Sequence, residues 1–492
     1  MTDIIAAVNN LIWGNVLVFL LLGVGIFFTF RTRFVQVRRF RQAGKIMLGS
    51  RSRLNDSHIS PFQAFCTSLA ARIGTGNMAG VAVAIYLGGP GAVFWMWLIA
   101  LLGMSSSLAE NILAQLYKTN NGDGTFRGGP AYYIQKALGQ RWLGVVFSIA
   151  LIIAFGFAFN SVQSNSIAAA FLAYGIPAHY VGMALVVFVS LVIFGGIRSI
   201  ARVAEIIVPV MALCYLIVAV GIVLVNIMEL PAVISLIFKS AFGIESAVGG
   251  GVAVMVKAAM EQGIKRGLFS NEAGMGSAPN AAATAYSDHP VNQGLIGMMG
   301  VFIDTMVVCT ATASIILMSG MLETGGSLNG IALTQAALAH EVGGWGHHLV
   351  AVAILLFAFT SIIANYYYGE SNLQFIHNNN KLIMIYRVAV VSMVFWGSVG
   401  SLPTVWAFAD VSMGIMALIN LVSILVLSGI VIRVLKDYDE QLSIGLTPVF
   451  NRKQFPFLDR TMDEDVWQEY ARSVTAASHR KQPVNSSVGS SV

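Results

Sequence analysis

The chain contains eleven apolar runs, each about as long as a helix that crosses a membrane. A helix rises about 1.5 Å per residue, so roughly 20 apolar residues cover the ~30 Å hydrocarbon core of a bilayer. Together the runs predict an all-α polytopic membrane protein with about 11 transmembrane helices. They lie near residues 11–30, 61–87, 90–116, 144–173, 179–196, 203–228, 263–286, 294–320, 345–376, 382–400 and 404–434.

The composition also indicates a protein that lies in a lipid bilayer. Of the 492 residues, 56% are hydrophobic and 11% are charged, whereas soluble domains average about a quarter charged. The net charge of +6 comes from basic residues between the runs and after the last one, where a lipid surface explains them. The sequence therefore predicts the lipid bilayer as a partner and no nucleic acid.

Lysine and arginine are concentrated in alternate connections between the runs. Because cytoplasmic loops are the ones enriched in these residues, the pattern places the N-terminus outside and the C-terminus in the cytoplasm. Most of the 29 basic residues fall in five segments, namely residues 31–53, 118–141, 198–202, 381–387 and 433–481.

Two of the runs are interrupted by residues that disfavour a helix in lipid. Residues 70–80 read "AARIGTGNMAG" and residues 267–279 read "GLFSNEAGMGSAP". Small residues can serve close helix packing, but unwound backbone at membrane depth is typical of transporter binding sites, where it lines a cavity. With the first run set aside, the interrupted runs begin two groups of five, which predicts an inverted repeat.

This arrangement divides the chain into four parts. We expect an extra transmembrane helix and a basic cytoplasmic loop at residues 1–60, and a first five-helix repeat at 61–228. A second five-helix repeat, with an external connecting segment, follows at 229–435. The polar residues from about Asp437 onward predict a mobile cytoplasmic tail at 436–492.

Three motifs resemble a known family. "GTGNMAGVA" at 74–82, "TFRGGPAYYIQKALG" at 125–139 and "GLFSNEAGMGSAPNAAATA" at 267–285 are similar to the signatures of the alanine or glycine:cation symporters. The resemblance implies the leucine-transporter-type fold of five-plus-five inverted repeats with two broken helices. It also implies sodium-coupled import of a small neutral amino acid across a bacterial inner (plasma) membrane, with sodium as the coupling ion and no other cofactor.

A zwitterionic substrate needs donors for its carboxylate and acceptors for its ammonium group. The first break supplies backbone amides at a helix start near Asn77, with no side chains on the glycines to block them. Carbonyls freed at the second break could accept from the ammonium group, with the Gln163 amide oxygen close by; a plain interhelical hydrogen bond is the alternative for Gln163. The candidate substrate-binding residues are Gly74, Thr75, Gly76, Asn77, Gln163, Phe269, Ser270 and Asn271.

Sodium prefers oxygen ligands. In the fold that the resemblance implies, one site joins carbonyls of the first broken helix to hydroxyls on the third helix of the other repeat. That helix is the ninth run, where Thr360 and Ser361 form an adjacent hydroxyl pair. We expect them to bind sodium with backbone carbonyls near Ala71 and Gly74, although hydroxyls in helices often bond to their own backbone instead.

Charged residues within the runs are functional candidates. Arg72 and Glu272 lie in the two broken helices, where an ion pair could form a gate; alternatively, Glu272 could carry a proton in a proton-coupled carrier. We assign no role to Glu110, Glu205, Asp304, Glu370 and Asp410. Motifs of hydrolases, metalloproteases and nucleotide-binding enzymes do not occur, so we expect no enzymatic activity. The sequence leaves the preferred amino acid and the oligomeric state open.

Overall fold

The computed structural model describes residues 8–50, 58–244, 251–322 and 328–467. Within these ranges the protein is almost entirely helical, with one two-stranded antiparallel sheet formed by β1 (Thr119–Asn120) and β2 (Phe126–Arg127). This confirms the predicted all-α fold class.

The described residues of the first half of the chain form ten helices. Several are short, because Gly and Pro interrupt the apolar runs or because the segment lies at an end of the bundle. They are α1 (Val8–Arg31), α2 (Val35–Arg38), α3 (Phe40–Gly49), α4 (Pro61–Arg72), α5 (Gly76–Gly88), α6 (Ala92–Leu116), α7 (Pro130–Leu138), α8 (Arg141–Leu172), α9 (Ala178–Ile193) and α10 (Gly196–Val225).

In the second half, the residues that the structure describes form ten more. These are α11 (Leu230–Phe242), α12 (Gly251–Asn271), α13 (Pro279–Ala282), α14 (Pro290–Met318), α15 (Ile331–Val342), α16 (Trp345–Ile376), α17 (Asn380–Val399), α18 (Leu402–Val426), α19 (Ser428–Ser443) and α20 (Pro456–Asp459).

The helices account for all eleven predicted spans. Among the described residues, eight helices are long and apolar enough to cross a membrane: α1, α6, α8, α10, α14, α16, α17 and α18. The fifth predicted span is the shorter apolar helix α9. The predicted second span consists of α4 and α5, and the predicted seventh consists of α12 and α13, so both are broken as expected.

The broken helices begin two sets of five helices, the order that we expect of an inverted repeat. Equivalent members of the two sets pack together: α6 runs along α14, the second helix of each set, and α8 runs along α16, the third. Helix α12 packs against α5, which brings the two breaks together.

The limits of the seventh span differ from the prediction. We expected this span at residues 263–286, but α12 begins at Gly251 and ends at Asn271. Its first turns contain Lys257 and Glu261, which lower the local hydropathy and hid that part of the helix. The connecting segment before it also contains a helix, α11, that the sequence analysis did not expect.

One end of the bundle carries the basic connections, including the segment after α1, the connection between α6 and α7 with Lys118 and Arg127, and α19. We call it the basic end. The expected mobile tail is wrong for its first part: α19 continues to Ser443, and residues 444–467, here called the C-terminal strap, pack back on the basic end. Phe450 and Trp467 of the strap are buried. Residues 468–492 of the predicted tail lie outside the described residues.

Candidate functional site

The first break is short and lies at the centre of the bundle. Helix α4 starts with a capping box formed by Ser60 and Gln63 and ends at Arg72, and α5 begins at Gly76. Between them, the amide of Gly74 donates to Oδ1 of Asn77 at 3.0 Å. A Cβ at Gly74 would collide with the side chains of Ser361 and Gln163, so only glycine fits here.

A side chain from another helix occupies the next amide. The backbone nitrogen of Thr75 donates to Oε1 of Gln163 on α8 at 2.8 Å. The hydroxyl of Thr75 is buried without a hydrogen-bond partner. Two of the amides expected to hold a carboxylate therefore already carry side-chain oxygen acceptors in this conformation.

The second break is longer and has an unusual backbone. Glu272 follows the last residue of α12 and has a φ of 58°, and Gly274 and Gly276 have φ values of 82° and 84°. Left-handed conformations cost an L-residue roughly 1–2 kcal/mol, so the surrounding structure must hold Glu272 in place. Its carboxylate accepts from the hydroxyl of Ser277 at 2.6 Å.

Side chains from distant helices pair with the backbone of this break. Glu110 on α6 accepts from the amide of Gly274 at 3.3 Å, and Asn420 on α18 donates to the Gly274 carbonyl at 2.9 Å. Asn420 also donates to Glu110 at 2.8 Å, and its own oxygen accepts from the hydroxyl of Tyr133. Glu110, for which we predicted no role, thus satisfies backbone groups that the break leaves unpaired.

The two breaks are in contact. A Cβ at Gly76 would lie 3.0 Å from Cα of Ser270 and 3.1 Å from the ring of Phe269. Phe269 stacks on Phe159 with ring centroids 4.3 Å apart and lies 4.7 Å from the ring of Trp406. The structure thus brings together Gly74, Thr75, Gly76, Gln163, Phe269 and Ser270, as the sequence analysis expected of a common site.

Asp304 joins the same site from α14. Its carboxylate accepts from Nδ2 of Asn77 at 2.6 Å, from the hydroxyl of Ser270 at 2.9 Å and from that of Thr305 at 2.7 Å. It therefore links the two breaks. Asn271, another predicted site residue, donates to Thr305 at 3.2 Å and so braces this network.

An ion pair lies on the side of the site away from the basic end. Arg266, one turn before Phe269 on α12, forms two hydrogen bonds of 2.8 Å with the carboxylate of Asp410 on α18. The guanidinium also lies 4.3 Å from the ring centroid of Trp406. Together with the aromatic rings, this pair closes the site on that side.

Arg72 and Glu272 do not form the expected ion pair in this conformation. The guanidinium of Arg72 donates to the carbonyl of Gly297 at 3.1 Å and to the hydroxyl of Ser107 at 3.3 Å. Its charge acts at longer range on three buried carboxylates, those of Glu110, Glu272 and Asp304. Arg72 therefore serves as a positive charge shared by these three carboxylates.

The hydroxyl pair lies beside the first break. Ser361 donates to the carbonyl of Ala70 at 2.7 Å, and both hydroxyls lie within 3.0 Å of the carbonyl of Phe357. Thr360 also lies 3.9 Å from the sulfur of Met211. Both hydroxyls therefore bond to the backbone of their own helix, α16, which is the alternative that we considered. Ser361 also bonds to α4, where it contacts the carbonyl of Ala70 instead of the expected carbonyl near Ala71.

The basic end is closed by a small network. Ile59 and Ala285, which precede and follow the two broken helices, pair through their backbones, and Tyr286 donates to the Ile59 carbonyl at 3.0 Å. The ammonium group of Lys118 donates to the Ala285 carbonyl at 2.7 Å and lies over the rings of Phe126 and Trp467. Burial lowers the pKa of Lys118 to about 7.

The C-terminal strap completes this closure. The amide of Phe450 donates to the carbonyl of Asp288 at 3.0 Å, and Asp463 pairs with Lys136 at 2.8 Å. The strap therefore bears on the connection that follows the second broken helix.

The remaining unassigned carboxylates lie away from the breaks. Glu205 accepts from Nε2 of Gln63 at 2.8 Å, and Glu370 accepts from Tyr366 and lies 3.7 Å from Arg387. These contacts hold helices together at the basic end.

Three contributors to the site were missed from the sequence: Phe159, Trp406 and Arg266, whose partner Asp410 was noted without a role. Asp304 was seen but received no role. A charged residue within an apolar run is a usable signal, as Asp304 and Asp410 show, whereas Phe159 and Trp406 look like ordinary apolar residues of their helices.

Eleven spans, two broken helices in contact and polar groups gathered at the breaks define a multi-pass secondary transporter. The comparison with known families agrees, since the model of the sodium:alanine symporter family matches residues 1–452. The chain belongs to this family, and it is a cation-coupled amino-acid transporter.

Relatives of known name are similar along nearly their whole length. The chain is 49% identical to the probable sodium/glutamine symporter GlnT of Bacillus subtilis, over 91% of this chain and 92% of that protein. It is 48% identical to the amino-acid carrier protein AlsT of the same organism, over 94% and 96%. It is 40% identical to the sodium/alanine symporter AgcS of Methanococcus maripaludis, over 89% and 97%.

Among solved structures, a manganese transporter from Eremococcus coleocola matches with a TM-score of 0.48 and 15% identity. The match covers 81% of this chain and 91% of that chain.

Proposed function

We propose that the protein imports a small neutral amino acid, alanine or glycine, together with sodium by alternating access. The observation that carries this proposal is the contact of the two breaks at Gly76 and Ser270, with the hydroxyl of Ser361 bonded to the first broken helix. Substrate and ion would then share the first broken helix, with the ion at the end of α4 and the substrate at the start of α5, which is a physical basis for coupling.

The substrate carboxylate would bind at the start of α5. The amides of Gly74 and Thr75 carry Asn77 and Gln163 oxygens, and a carboxylate is a stronger acceptor for the same donors. Carbonyls at Phe269 and Ser270 would accept from the ammonium group. The rings of Phe159, Phe269 and Trp406 and the close approach at Gly76 leave a narrow site, which favours a small side chain.

Sodium would bind between α4 and α16. The hydroxyls of Thr360 and Ser361 and the carbonyls of Ala70 and Phe357 are neutral oxygen ligands within one cluster, which suits a hard monovalent cation. In the structure, the hydroxyls donate to these carbonyls; with sodium bound, all of these oxygens would turn their lone pairs to the ion.

The basic end would face the cytoplasm, with the N-terminus outside and the C-terminus inside, in a bacterial inner membrane. This proposal rests on the distribution of Lys and Arg. Import then requires opening first at the Arg266–Asp410 pair and next at the network around Ile59 and Ala285.

The test is alanine binding titrated against sodium. Thr360→Ala/Ser361→Ala removes two oxygen ligands, so the sodium midpoint should rise at least tenfold, and saturating sodium should restore alanine binding because the coupling is reciprocal. Ser371→Ala, a buried hydroxyl on the same helix, is the control and should leave the midpoint unchanged. An unaltered midpoint in the double variant would exclude these hydroxyls as ligands.

Substrate and ion identity need proteoliposomes with separate sodium and pH gradients. We expect alanine and glycine to be taken up under a sodium gradient, and glutamine, the substrate in the name of one relative, to compete poorly. Uptake driven by a pH gradient alone would favour the alternative, a proton-coupled carrier with Glu272 as the titrating group.

A further inference from the structure

A cavity of about 560 Å³ lies at the basic end, between the end of α1 and one face of α19. It is distant in sequence from the breaks, and the transport mechanism does not use it. Its lining residues include Phe30, Arg31, Arg33, Arg38, Lys436 and Asp439.

The cavity has a surplus of positive charge. Four of its lining residues are cationic and two are acidic. Asp439 is paired with Arg38 at 2.7 Å, and Glu440 lies 3.4 Å from Lys436. Among the residues that the structure describes, neither Arg31 nor Arg33 forms an ion pair, and both are exposed. Two guanidinium groups are therefore available to an anion.

The position of the cavity fixes its depth in the membrane. Arg31 is the last residue of α1, a helix of membrane-spanning length, so it lies where hydrocarbon meets the headgroups. Phe30 and Phe34 are 66% and 48% exposed and are in edge-to-face contact. Apolar surface thus lies next to the two free guanidinium groups, as the two parts of a phospholipid require.

The backbone keeps this arrangement in place. Arg33 and Phe34 have φ values of 56° and 54°, and the amide of Phe34 donates to the carbonyl of Thr29 at 2.8 Å. Arg38 donates to the carbonyl of Thr32 at 3.3 Å. The tight turn therefore returns the chain so that arginines before and after it line the same cavity.

We propose that this cavity binds the headgroup phosphate of an anionic phospholipid, with Arg31 and Arg33 as its ligands. Guanidinium groups bind phosphate oxygens in pairs, and basic pockets beside membrane helices suit anionic headgroups. The acyl chains lie along the exposed apolar face of α1, at Phe30 and Phe27. A free phosphate can accept the same hydrogen bonds from the guanidinium groups but gains nothing from this face.

The bound lipid also contacts α19, whose opposite side packs on the start of α14. Asp437 and Tyr438 of α19 contact His289, at the start of α14. The headgroup therefore stabilises the helix against which the connection after the second broken helix packs.

Native mass spectrometry of the purified full-length protein, titrated with dioleoyl phosphatidylglycerol or dioleoyl phosphatidylcholine, tests the proposal. We expect phosphatidylglycerol to bind preferentially, and Arg31→Gln/Arg33→Gln to weaken its binding at least fivefold. Arg41→Gln/Lys45→Gln removes two exposed charges of the same segment that do not line the cavity, and should leave binding unchanged. Arg31→Lys/Arg33→Lys should retain part of the binding and serves as the test variant if the Gln pair does not fold.

Competition with inorganic phosphate separates the two sources of the anion. We expect millimolar phosphate to leave phosphatidylglycerol bound. Full displacement by phosphate, equal binding of both lipids, or an equal loss in the control pair would each overturn the proposal.

Discussion

The backbone nitrogen of Thr75 lies 2.8 Å from Oε1 of Gln163, so a side chain holds a donor that the proposed mechanism assigns to the substrate. Gln163→Leu removes this acceptor with little change in volume and leaves a buried amide unpaired, at a cost of about 1–3 kcal/mol. A bound carboxylate would take its place. Alanine with sodium should therefore raise the Tm of the variant more than that of the wild type.

The control for this experiment is Gln335→Leu. Gln335 is also buried and donates to the carbonyl of Ala170 at 3.2 Å, away from the breaks, so its loss should not change the alanine-induced rise in Tm. A smaller rise in Gln163→Leu than in the wild type would mean that Gln163 binds the substrate directly.

Gly76→Val should leave the protein inserted but abolish uptake. A Cβ at this position would lie 3.0–3.2 Å from Phe269 and Ser270, and the branched side chain needs more room than that, so the two breaks would have to separate. Gly80→Ala is the control, because its Cβ would meet Trp406 at an ordinary 3.5 Å. Uptake with near-normal affinity in Gly76→Val would refute the contact between the breaks as the substrate site.

Substitution of Arg72 should destabilise the protein more than substitution of Glu272. Glu272→Gln retains an acceptor for Ser277 and should keep sodium-driven uptake with an unchanged pH profile. Arg72→Gln leaves the carboxylates of Glu110, Glu272 and Asp304 without their shared counter-charge, and losing the partner of a buried charge costs about 3–5 kcal/mol. Thermal unfolding measures the difference.

A simple ion pair would behave otherwise. If the two single substitutions reduce uptake equally, and uptake recovers in Arg72→Glu/Glu272→Arg, the two residues form the ion-pair gate that the sequence suggested. A shifted pH dependence of uptake in Glu272→Gln would support proton coupling.

Acidification should loosen the C-terminal strap. His289 lies outside the membrane spans; its Nδ1 accepts from the amide of Val291 at 3.2 Å, and Nε2 lies 3.1 Å from Asp437. Burial lowers the pKa of His289 below its usual 6.5, against the opposing effect of Asp437. When the strap leaves the basic end and His289 is exposed, the histidine binds a proton more readily than when the strap is docked. The docked strap therefore loses stability as the pH falls below 6.5 and keeps its stability above that pH.

Limited proteolysis of residues 444–467 at pH 7.5 and 5.5 measures this effect. Cleavage should be faster at the lower pH in the wild type and in His377→Asn, which changes an exposed histidine at the same end. His289→Asn keeps a side chain suited to cap α14 but cannot titrate, so its cleavage should not depend on pH. The same pH dependence in all three proteins would exclude His289.

The number of spans and the two breaks could be predicted because both are local properties. A run of apolar residues is long enough to cross a bilayer wherever it packs, and the glycines at 74 and 76 disfavour a helix whatever surrounds them. The start of α12 was missed for the same reason, since Lys257 and Glu261 make a local average misleading.

Partners across the fold could not be predicted. Glu110 and Asn420 come from two helices and Gly274 from the second break, and nothing in their spacing indicates that they meet. The strap was misjudged because Phe450 and Trp467 lie in a polar stretch, and their burial depends on surfaces formed by residues more than a hundred positions away. Arg72 received the wrong partner because proximity of two breaks does not determine which way long side chains point.

The backbone pairing of Ile59 with Ala285 has a kinetic consequence. A backbone hydrogen bond contributes a net ~0.5–1.5 kcal/mol, and about 1.4 kcal/mol changes a rate tenfold. The Tyr286–Ile59 bond alone would therefore slow the opening of the basic end by no more than roughly an order of magnitude. Because it uses only main-chain atoms, most substitutions at these positions leave it intact. The duration of the closure therefore depends on the other contacts of this network, those of Lys118 and of the C-terminal strap.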